Sequence, residues 1–600
     1  MGGLRAGAET QTITSQAAGA AGTAEREKRS GPRWPWGLLA VYLLAGAILF
    51  VAYLRLSETY ALNSDSANIL LMAHDLLDGH LLLHGWHMSD VSFYPTELPQ
   101  YALLESLLGV KMQTAHVAAA MTYTLAFLLA VMLARSGSSG RAAWVRTLIA
   151  AGIMLAPQFG LGVFALDLSV GHIGTSIPLL LTWLLLDKRP ARWYVPVLVT
   201  VLLAWALIAD PIVYVVGVGP LGVVCAVRVL RALADGDGHW TQRVAAARMD
   251  VALGAAAVAA TVLAWAANNV IAALGGYVVN RLPFYFVSPH HLHNNAPAAW
   301  KVLEIFGANF AGLGGIWLAL AFLHLASVLV VGWALARAAR RFYYVSLADQ
   351  VLAVAIVLNV VLYLLTNAAD EAAHEVAVIV PFGAALAARV LVSALPRGDD
   401  HPPAPPAPQG AARPPGPPRR VRLAALVAGS AVLAGYTAGL GYELTQPPVP
   451  PANARLASWL LEHRLTYGLS GYWTSSSVTV GSGRRVKVRA LMQYTLKRDL
   501  WMAKASWYDP KQHYANFVVL DRQPGTFSHW EPRFLIRKYF GSPARTYHTG
   551  PYTIMVWNRN LLTAVPARRP SAIAPGRFSA DQVSLAPLRP PLYQYRLRSR

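Results

Sequence analysis

Charged residues and cysteine are both scarce in this chain of 600 residues. Only 14% of the residues are charged, whereas 55% are hydrophobic and the mean hydropathy is +0.39. A soluble protein of this length surrounds its core with many more charges, so the composition indicates a polytopic membrane protein. The single cysteine, Cys225, lies in an apolar run. No intramolecular disulfide can therefore form, and any external domain must fold by packing alone.

The charges that are present are mainly basic, with a formal net charge of +21 and a pI of about 10.1. They fall between apolar segments and near the termini, without the interleaved aromatic residues of a nucleic-acid-binding module. We therefore expect the basic residues to set membrane topology and to attract anionic lipid, and we expect no nucleic acid as a partner.

Apolar runs predict about eleven transmembrane helices. They lie near residues 36–54, 113–134, 144–164, 172–186, 193–209, 211–230, 250–273, 312–336, 345–366, 375–395 and 421–441. Arginine and lysine collect in alternate loops on the side of the basic N-terminus, and most loop acids fall on the opposite side. The positive-inside rule then predicts a multi-pass protein of the cell (cytoplasmic) membrane, with its N-terminus in the cytoplasm and its C-terminal domain outside.

The chain divides into four predicted regions. The C-terminal region has a helical pattern near 452–464, and β-like runs SSSVTV, RRVKVRAL, NFVVLD and YTIMVWN. We therefore expect a polytopic α-helical membrane protein with a C-terminal extracytoplasmic α/β domain. The regions are a disordered cytoplasmic tail at 1–33, a transmembrane domain at 34–441 with a first external loop at 56–112 and a Pro-rich cytoplasmic linker at 397–420, the α/β domain at 442–565, and a basic disordered tail at 566–600.

Asp65 follows the first membrane helix directly, in the text SETYALNSDSANILLMAHDLLDGHLLLHGW. Apolar residues recur at helical spacing from Ser66 to Leu77, which predicts a short helix lying in the plane of the membrane interface. Asp65 stands at the start of this helix, where aspartate is a good N-cap. The functional alternative is a general base, or an organiser of metal or phosphate, at the membrane surface.

An acid directly after the first membrane helix, in a large first external loop with two short helices, resembles the GT-C glycosyltransferases. The segments HGWHMSDVSFYPTELPQYAL, HEVAVIVPFGAALAARVL and LTYGLSGYW are also similar to those of bacterial membrane proteins usually assigned to this superfamily. Its members include protein O-mannosyltransferases and aminoarabinose transferases. The resemblance implies a GT-C-like fold, a polyprenyl-phosphate-linked sugar donor, an acceptor on the external face and, in this chain, an inverting transfer.

Site residues follow from the same resemblance. Asp65 matches the first-loop catalytic acid, and Asp167 lies in the second external loop, where several members keep another acid. His172 lies close to Asp167 in the sequence and is a candidate for a hydrogen bond to a phosphate or sugar. Many members have paired acids in the first loop, whereas this chain has S-D-S, and one carboxylate is weak ligation for Mg²⁺ or Mn²⁺. A divalent cation therefore stays an open expectation.

Other side chains are candidates for binding the donor. Arg281, with Lys301 behind it, is a candidate for the phosphate, and an interfacial anchor is the alternative. Trp86, Tyr94 and His87 are candidates for contacting substrate, although aromatic residues at this depth also form membrane-interface belts. The histidines His290, His291 and His293 suggest a metal cluster, but their spacing matches no zinc motif.

Two further readings remain open at this stage. We interpret Asp210 as a helix cap. For TNAADEAAHEVAV we favour an ordinary acidic loop, and the alternative is that Asp370, Glu371 and His374 close the site from this loop. A transporter or flippase would place charges within the spans, whereas the predicted spans are almost free of charge. A non-catalytic scaffold with a wall-binding external domain would leave Asp65 as a cap only.

Overall fold

The computed structural model describes residues 36–157, 166, 169–188, 192–235, 239–310, 315–370, 373–392, 419–523 and 528–566. Contacts divide the chain after Leu49, and Phe50–Arg600 forms one compact unit.

The membrane region is mainly helical in its described parts. Its helices are α1 (Trp36–Ser57), α2 (Ser64–Leu77), α3 (Glu97–Leu108), α4 (Met112–Arg135), α5 (Gly140–Met154), α6 (Ser176–Lys188), α7 (Val195–Ala209), α8 (Gly219–Asp235), α9 (Trp240–Ala246), α10 (Arg248–Ala273), α11 (Ala296–Glu304), α12 (Ile316–Arg340), α13 (Leu347–Leu365), α14 (Ile379–Val392) and α15 (Arg419–Leu444). Within the described ranges, seven segments are long and apolar enough to cross a membrane: Leu39–Ser57, Met112–Arg135, Tyr214–Ala234, Arg248–Ala273, Ile316–Arg340, Leu347–Leu365 and Ala373–Val392. Helices α5, α6, α7 and α15 overlap the other predicted spans, α5 covering only the first half of 144–164, and the count of eleven stays a prediction.

Helix α14 is the most deeply buried of the long membrane segments. It packs against α4, α5, α12 and α13. Its sequence IVPFGAALAARVLV is rich in small residues, which allow helices to approach closely in a membrane. A Cβ atom on Gly383 would lie only 3.0 Å from Val331. Because α14 contacts four other helices, it determines how the ends of these helices are arranged.

Arg389 joins several helices at one end of the bundle. Its guanidinium donates to the carboxylates of Asp187, at 2.6 Å from Nη2 to Oδ1, and Asp349. It also donates to the carbonyl of Leu133 at 3.0 Å. The pairing satisfies a cation that is only 5% exposed, and it ties α14 to the ends of α4 and α6 and the start of α13.

The C-terminal domain is an α/β unit, as predicted. Its elements are α16 (Ala454–Glu462), β2 (Tyr467–Ser470), α17 (Tyr472–Gly481), β3 (Lys487–Ala490), β4 (Ala503–Lys504), β5 (Phe517–Asp521), α18 (Arg533–Phe540), β6 (Arg545–Thr549) and β7 (Tyr552–Val556), while β1 (Trp86–His87) belongs to the first loop. The sheet order is β3-β2-β5-β7-β6. Strands β2, β3 and β5 run parallel, whereas β7 is antiparallel to β5 and β6. Two apolar clusters involve the residues of this sheet and its covering helices.

One predicted strand in this domain is wrong. The run SSSVTV lies within α17, because the parallel pairing of β2 with β3 requires a crossover and this segment supplies it. Its Ser, Thr and Val side chains are buried between neighbouring elements. Packing therefore overrides their preference for strands.

The predicted interfacial position of α2 also needs correction. Every residue from Ser64 to Ala73 except Asp65 is buried. Helix α2 packs against α3, α4 and α17. Helix α2 is thus enclosed by protein along most of its length. This packing holds the start of the helix, where Asp65 lies, in place.

Candidate active site

The start of α2 positions Asp65. Asn63 is the N-cap, because its side chain accepts a 2.9 Å hydrogen bond from the backbone N–H of Asp65. The predicted capping role of Asp65 is therefore wrong: it lies in the first turn, where a carboxylate is stabilised by the helix dipole. The side chain is partly buried at the end of the loop that follows α1.

The C-terminal domain contacts Asp65 directly. The hydroxyl of Tyr472, the first residue of α17, donates to Asp65 Oδ1 at 2.6 Å. One turn further on, Ser476 Oγ donates to Asn68 Oδ1 at 2.6 Å, and Asn68 Nδ2 donates to the Tyr472 hydroxyl at 3.2 Å. The order of these pairs shows that α2 and α17 run in the same direction. The starts of both helices therefore lie on the same side, and the Tyr472 side chain bridges them.

The pKa of Asp65 is raised by burial. The hydrogen bond from Tyr472 and the charge of His374 act in the opposite sense and lower it. The influence of His374 connects Asp65 to a second polar group of residues, which is formed by the loops between other helices.

His172 is at the centre of that second group. Its Nδ1 lies 2.7 Å from Oδ2 of Asp210, which follows α7, and its Nε2 lies 3.4 Å from Oε1 of Glu375. His374 Nε2 is also 3.4 Å from the same Glu375 oxygen, and the two imidazoles stack at 5.5 Å. His172 has a φ of 64°, which is unusual for a residue with a side chain and places it among the strained positions that cluster at functional sites.

Two more carboxyls of the first loop adjoin this group. Burial raises the pKa of Asp90, and the charges of Glu375 and Asp210 raise it further, while His172 lowers it. Burial raises the pKa of Glu97 to about 7, with Asp210 contributing in the same direction. The first loop is fixed here by its backbone, since the Ser92 N–H donates to the carbonyl of Ala209 at 2.8 Å.

The residues that meet at this end of the bundle are mainly acidic. Asp65, Asp90, Glu97, Asp210 and Glu375 outnumber the two histidines, so the region favours bound protons or a bound cation. His172, His374 and Glu375 each place one ligand atom within 4.8 Å of the others. Two imidazoles and a carboxylate suit Zn²⁺ or Mn²⁺ better than Mg²⁺, which prefers oxygen ligands.

The structure accounts differently for the other predicted site residues. Asp167 lies outside the described residues. Trp86 is only 1% exposed and donates from Nε1 to Asp75 Oδ2 at 2.8 Å, so its ring forms part of the core. Tyr94 donates to the carbonyl of Leu81 at 2.9 Å, and the partly buried His87 belongs to β1.

Arg281 and the histidine run lie in the loop before α11. Arg281 is exposed and follows Asn280, whose backbone N–H donates to the carbonyl of Ser89, next to Asp90, at 3.0 Å. This places the start of the loop near the acidic group. Lys301 is partly buried on α11, which packs against the turn that carries His374. His290, His291 and His293 are exposed, and they do not form a group of metal ligands in the described part of the chain.

Sequence reasoning missed Tyr472, Asp210 and Glu375. Each belongs to a different segment, and neither spacing nor periodicity relates them to Asp65. A signal was present for the last two, because Asp210 follows one predicted apolar span and Glu375 begins another. A polar residue at the end of a membrane helix is more commonly a cap or anchor, and only the folded arrangement distinguishes these two.

No protein-family model and no curated protein matches the chain. Among solved structures, it is similar to ArnT from Cupriavidus metallidurans, which was crystallised with undecaprenyl phosphate; the TM-score is 0.50 at 12% identity, covering 86% of this chain and 98% of ArnT. It also matches the oligosaccharyltransferase AglB from Archaeoglobus fulgidus in complex with an inhibitory peptide and a dolichol-phosphate, with a TM-score of 0.42 at 12% identity over 81% of this chain and 70% of AglB. The fold assignment rests on ArnT, an aminoarabinose transferase. The chain thus shares its fold with ArnT, and the GT-C-like fold that the resemblance implied is confirmed at the level of the fold.

Proposed function

We propose that this protein is a membrane glycosyltransferase that moves a sugar from a polyprenyl-phosphate donor to an acceptor outside the cytoplasmic membrane. The observation that carries the proposal is the position of Asp65. This partly buried carboxylate begins a helix directly after the first membrane span and faces loops that bring further acids and histidines together. ArnT has the same overall fold and was solved with undecaprenyl phosphate, which supports a polyprenyl-phosphate carrier here.

In this reaction, Asp65 is the general base. Its carboxylate takes the proton of the acceptor hydroxyl while the acceptor oxygen forms a bond to the anomeric carbon of the sugar. The bond between that carbon and the phosphate oxygen breaks, and its electron pair leaves with the polyprenyl phosphate. Attack from the face opposite the leaving group inverts the anomeric centre. Arg281 and Lys301 are our candidates for stabilising the departing phosphate.

A divalent cation is part of the proposal. His172, His374 and Glu375 are the residues that would hold it, and their donor atoms are close enough to share one ion. The ion would supply positive charge beside a phosphate that gains charge as the sugar leaves. Asp210 would orient the imidazole of His172 through the contact at Nδ1.

The orientation completes the proposal. The acidic group and the C-terminal domain would lie outside, and the end of the bundle that carries Arg389 would face the cytoplasm. This follows from the excess of Arg and Lys in the loops at the latter end.

The test measures transfer from membranes supplied with a panel of radiolabelled polyprenyl-phosphate sugars. We expect Asp65→Asn to lose transfer by at least about a hundredfold, because general base catalysis contributes this much. Asp78→Asn is the matched control, since Asp78 is the exposed C-cap residue of the same helix. Equal transfer by wild type and Asp65→Asn would reject Asp65 as the base. No transfer from any donor would favour a transporter or a scaffold.

A further inference from the structure

The C-terminal domain is attached to the first loop by a continuous set of contacts. Strand β1 pairs antiparallel with β4, so that Trp86 faces Lys504 and His87 faces Ala503. The Lys504 ammonium lies 2.7 Å from Asp75 Oδ2. We call this set, together with the contacts between α2 and α17, the docking seam.

Apolar packing continues the docking seam inward. Trp86 meets Trp507 edge to face, with ring centroids 5.1 Å apart. Val480 and Met502 of the C-terminal domain belong to the same buried cluster as Ile69 and Met72 of α2. A domain held through shared core residues is part of one folded body, in contrast to a module on a flexible linker.

Tyr472 stands at the end of the docking seam nearest the acidic group. Its hydroxyl is held by two first-loop residues, donating to Asp65 Oδ1 and accepting from Asn68 Nδ2. The geometry of the hydroxyl is therefore fixed from both sides. A carboxylate at the start of a helix has two oxygens and can rotate, and the bond to Tyr472 selects one orientation.

The local backbone explains why tyrosine can occupy this place. Strand β2 ends at Ser470, and Gly471 allows the chain to turn directly into α17 beneath Trp530. A Cβ atom on Gly471 would lie 2.5 Å from the Trp530 ring. The close approach of Trp530 therefore requires glycine here, and Tyr472 becomes the first residue of the helix, directed at Asp65.

We propose that Tyr472 is a positioning residue for Asp65, so that the C-terminal domain completes the active site. This inference rests on the proposed function, since it assigns the domain a part in the same reaction. Tyr472 holds one carboxylate oxygen and leaves the other to receive the proton of the acceptor. The domain therefore has to be docked whenever transfer occurs.

The first experiment compares the pH dependence of transfer in wild type and Tyr472→Phe. The groups that face Asp65 are Tyr472 on α17, His374 on the loop after α13 and Asn63 before α2, and each of the three lowers its pKa. Loss of the hydroxyl raises the pKa of Asp65, so the acidic limb of the rate profile should move upward by about one pH unit. Below that limb the rate should fall about tenfold, in proportion to the deprotonated fraction.

Tyr552→Phe is the matched control, because Tyr552 is a buried tyrosine of the same domain whose hydroxyl donates to Asn453. Its acidic limb should stay where the wild-type limb lies. An unchanged rate and limb in Tyr472→Phe would overturn the inference while leaving Asp65 as the base. A lower rate without movement of the limb would also overturn it, since general destabilisation produces that result.

Docking is measured separately with the variant His87→Cys/Ala503→Cys. Directly opposed residues in an antiparallel pair lie at a distance that suits a disulfide, and the natural Cys225 is buried. We expect an intrachain disulfide under mild oxidation, seen as a gel shift that reducing agent reverses. Absence of the disulfide would overturn the docked arrangement. If the variant forms the disulfide but the wild type transfers no sugar from any donor, the proposed function is refuted, and the positioning role with it, while the docking seam stands.

Discussion

The ammonium of Lys504 lies between both carboxylate oxygens of Asp75, at 3.0 Å from Oδ1 and 2.7 Å from Oδ2. The two residues are separated by 429 positions in the chain. Trp86 Nε1, in the same first loop, donates to Oδ2 of this carboxylate, so the oxygen nearest to Lys504 of the C-terminal domain is also held from within the loop.

Replacement of Lys504 by methionine should weaken the docking seam. The ion pair is mostly buried, with 18% of the Lys504 and 14% of the Asp75 side chain exposed. We expect a loss of about 2 kcal/mol in the stability of the domain, because a buried carboxylate loses a charged donor. Limited proteolysis and thermal unfolding in detergent measure this loss. A double-mutant cycle with Asp75→Asn checks it, and additive losses would contradict a direct coupling.

Removal of Arg389 should be more damaging. Arg389→Met removes the guanidinium that pairs with the carboxylates of both Asp187 and Asp349. Loss of one partner of a buried ion pair costs about 3 to 5 kcal/mol. Size-exclusion chromatography in detergent should show a reduced yield of folded protein. Thermal unfolding of the same sample should show a lower unfolding temperature. Arg340→Met, at the exposed end of α12, serves as the control, and equal effects of the two variants would refute the role of the ion pair.

Glu97 should make stability depend on pH. Its pKa is raised from 4.5 to about 7 in the folded protein, so the folded state keeps a proton that the unfolded chain releases. Stability attributable to this proton is present below pH 4.5 and is lost as the pH rises to 7, amounting to about 3 kcal/mol. Glu97→Gln should therefore gain stability relative to wild type at pH 8 and little at pH 4.5.

Thermal unfolding at these two pH values checks the sign. Glu462→Gln makes the same change at an exposed position at the end of α16 and should leave the pH dependence unaltered. If the change in stability between pH 4.5 and pH 8 is the same in wild type and in Glu97→Gln, the pKa of Glu97 is not raised in the folded protein.

Binding of a divalent cation is tested without reference to activity. Titration with Mn²⁺, followed by electron paramagnetic resonance of the free ion, should show one site in the purified protein. His172→Ala and Glu375→Gln should each weaken binding by at least about tenfold, because each removes one donor. His290→Ala/His293→Ala changes the exposed histidine run and should bind as wild type does. Weaker binding by His290→Ala/His293→Ala, with unchanged binding by His172→Ala and Glu375→Gln, would place the site in the exposed histidine run.

The position of Asp65 could be predicted from the sequence because it depends on local features. An apolar run ends, an amphipathic run begins, and the acid stands between them. The same local reasoning identified β3, β5 and β7, whose apolar residues lie next to one another in the chain. It failed for SSSVTV, because the sequence of a crossover helix that is buried on several sides resembles that of a buried strand.

The remainder of the site depends on contacts between distant segments. His172 was a candidate, but its partners Asp210 and Glu375 follow from the way the end of α7 and the turn before α14 approach His172 at one end of the bundle. The role of Tyr472 depends on the parallel alignment of α17 with α2, which the β2–α17–β3 crossover makes possible. The spacing of residues within one segment predicts neither the partners of His172 nor the alignment of α17 with α2.

The separation of 407 positions between Asp65 and Tyr472 has a consequence for biosynthesis. At typical rates of translation, Tyr472 is made about 20 to 80 s after Asp65. During that interval the membrane helices are produced while the carboxylate lacks its partner. A ribosome-bound chain that ends before α17 would therefore contain the membrane helices α1 to α15 but an incomplete site, and completion of the C-terminal domain would set the moment at which the protein matures.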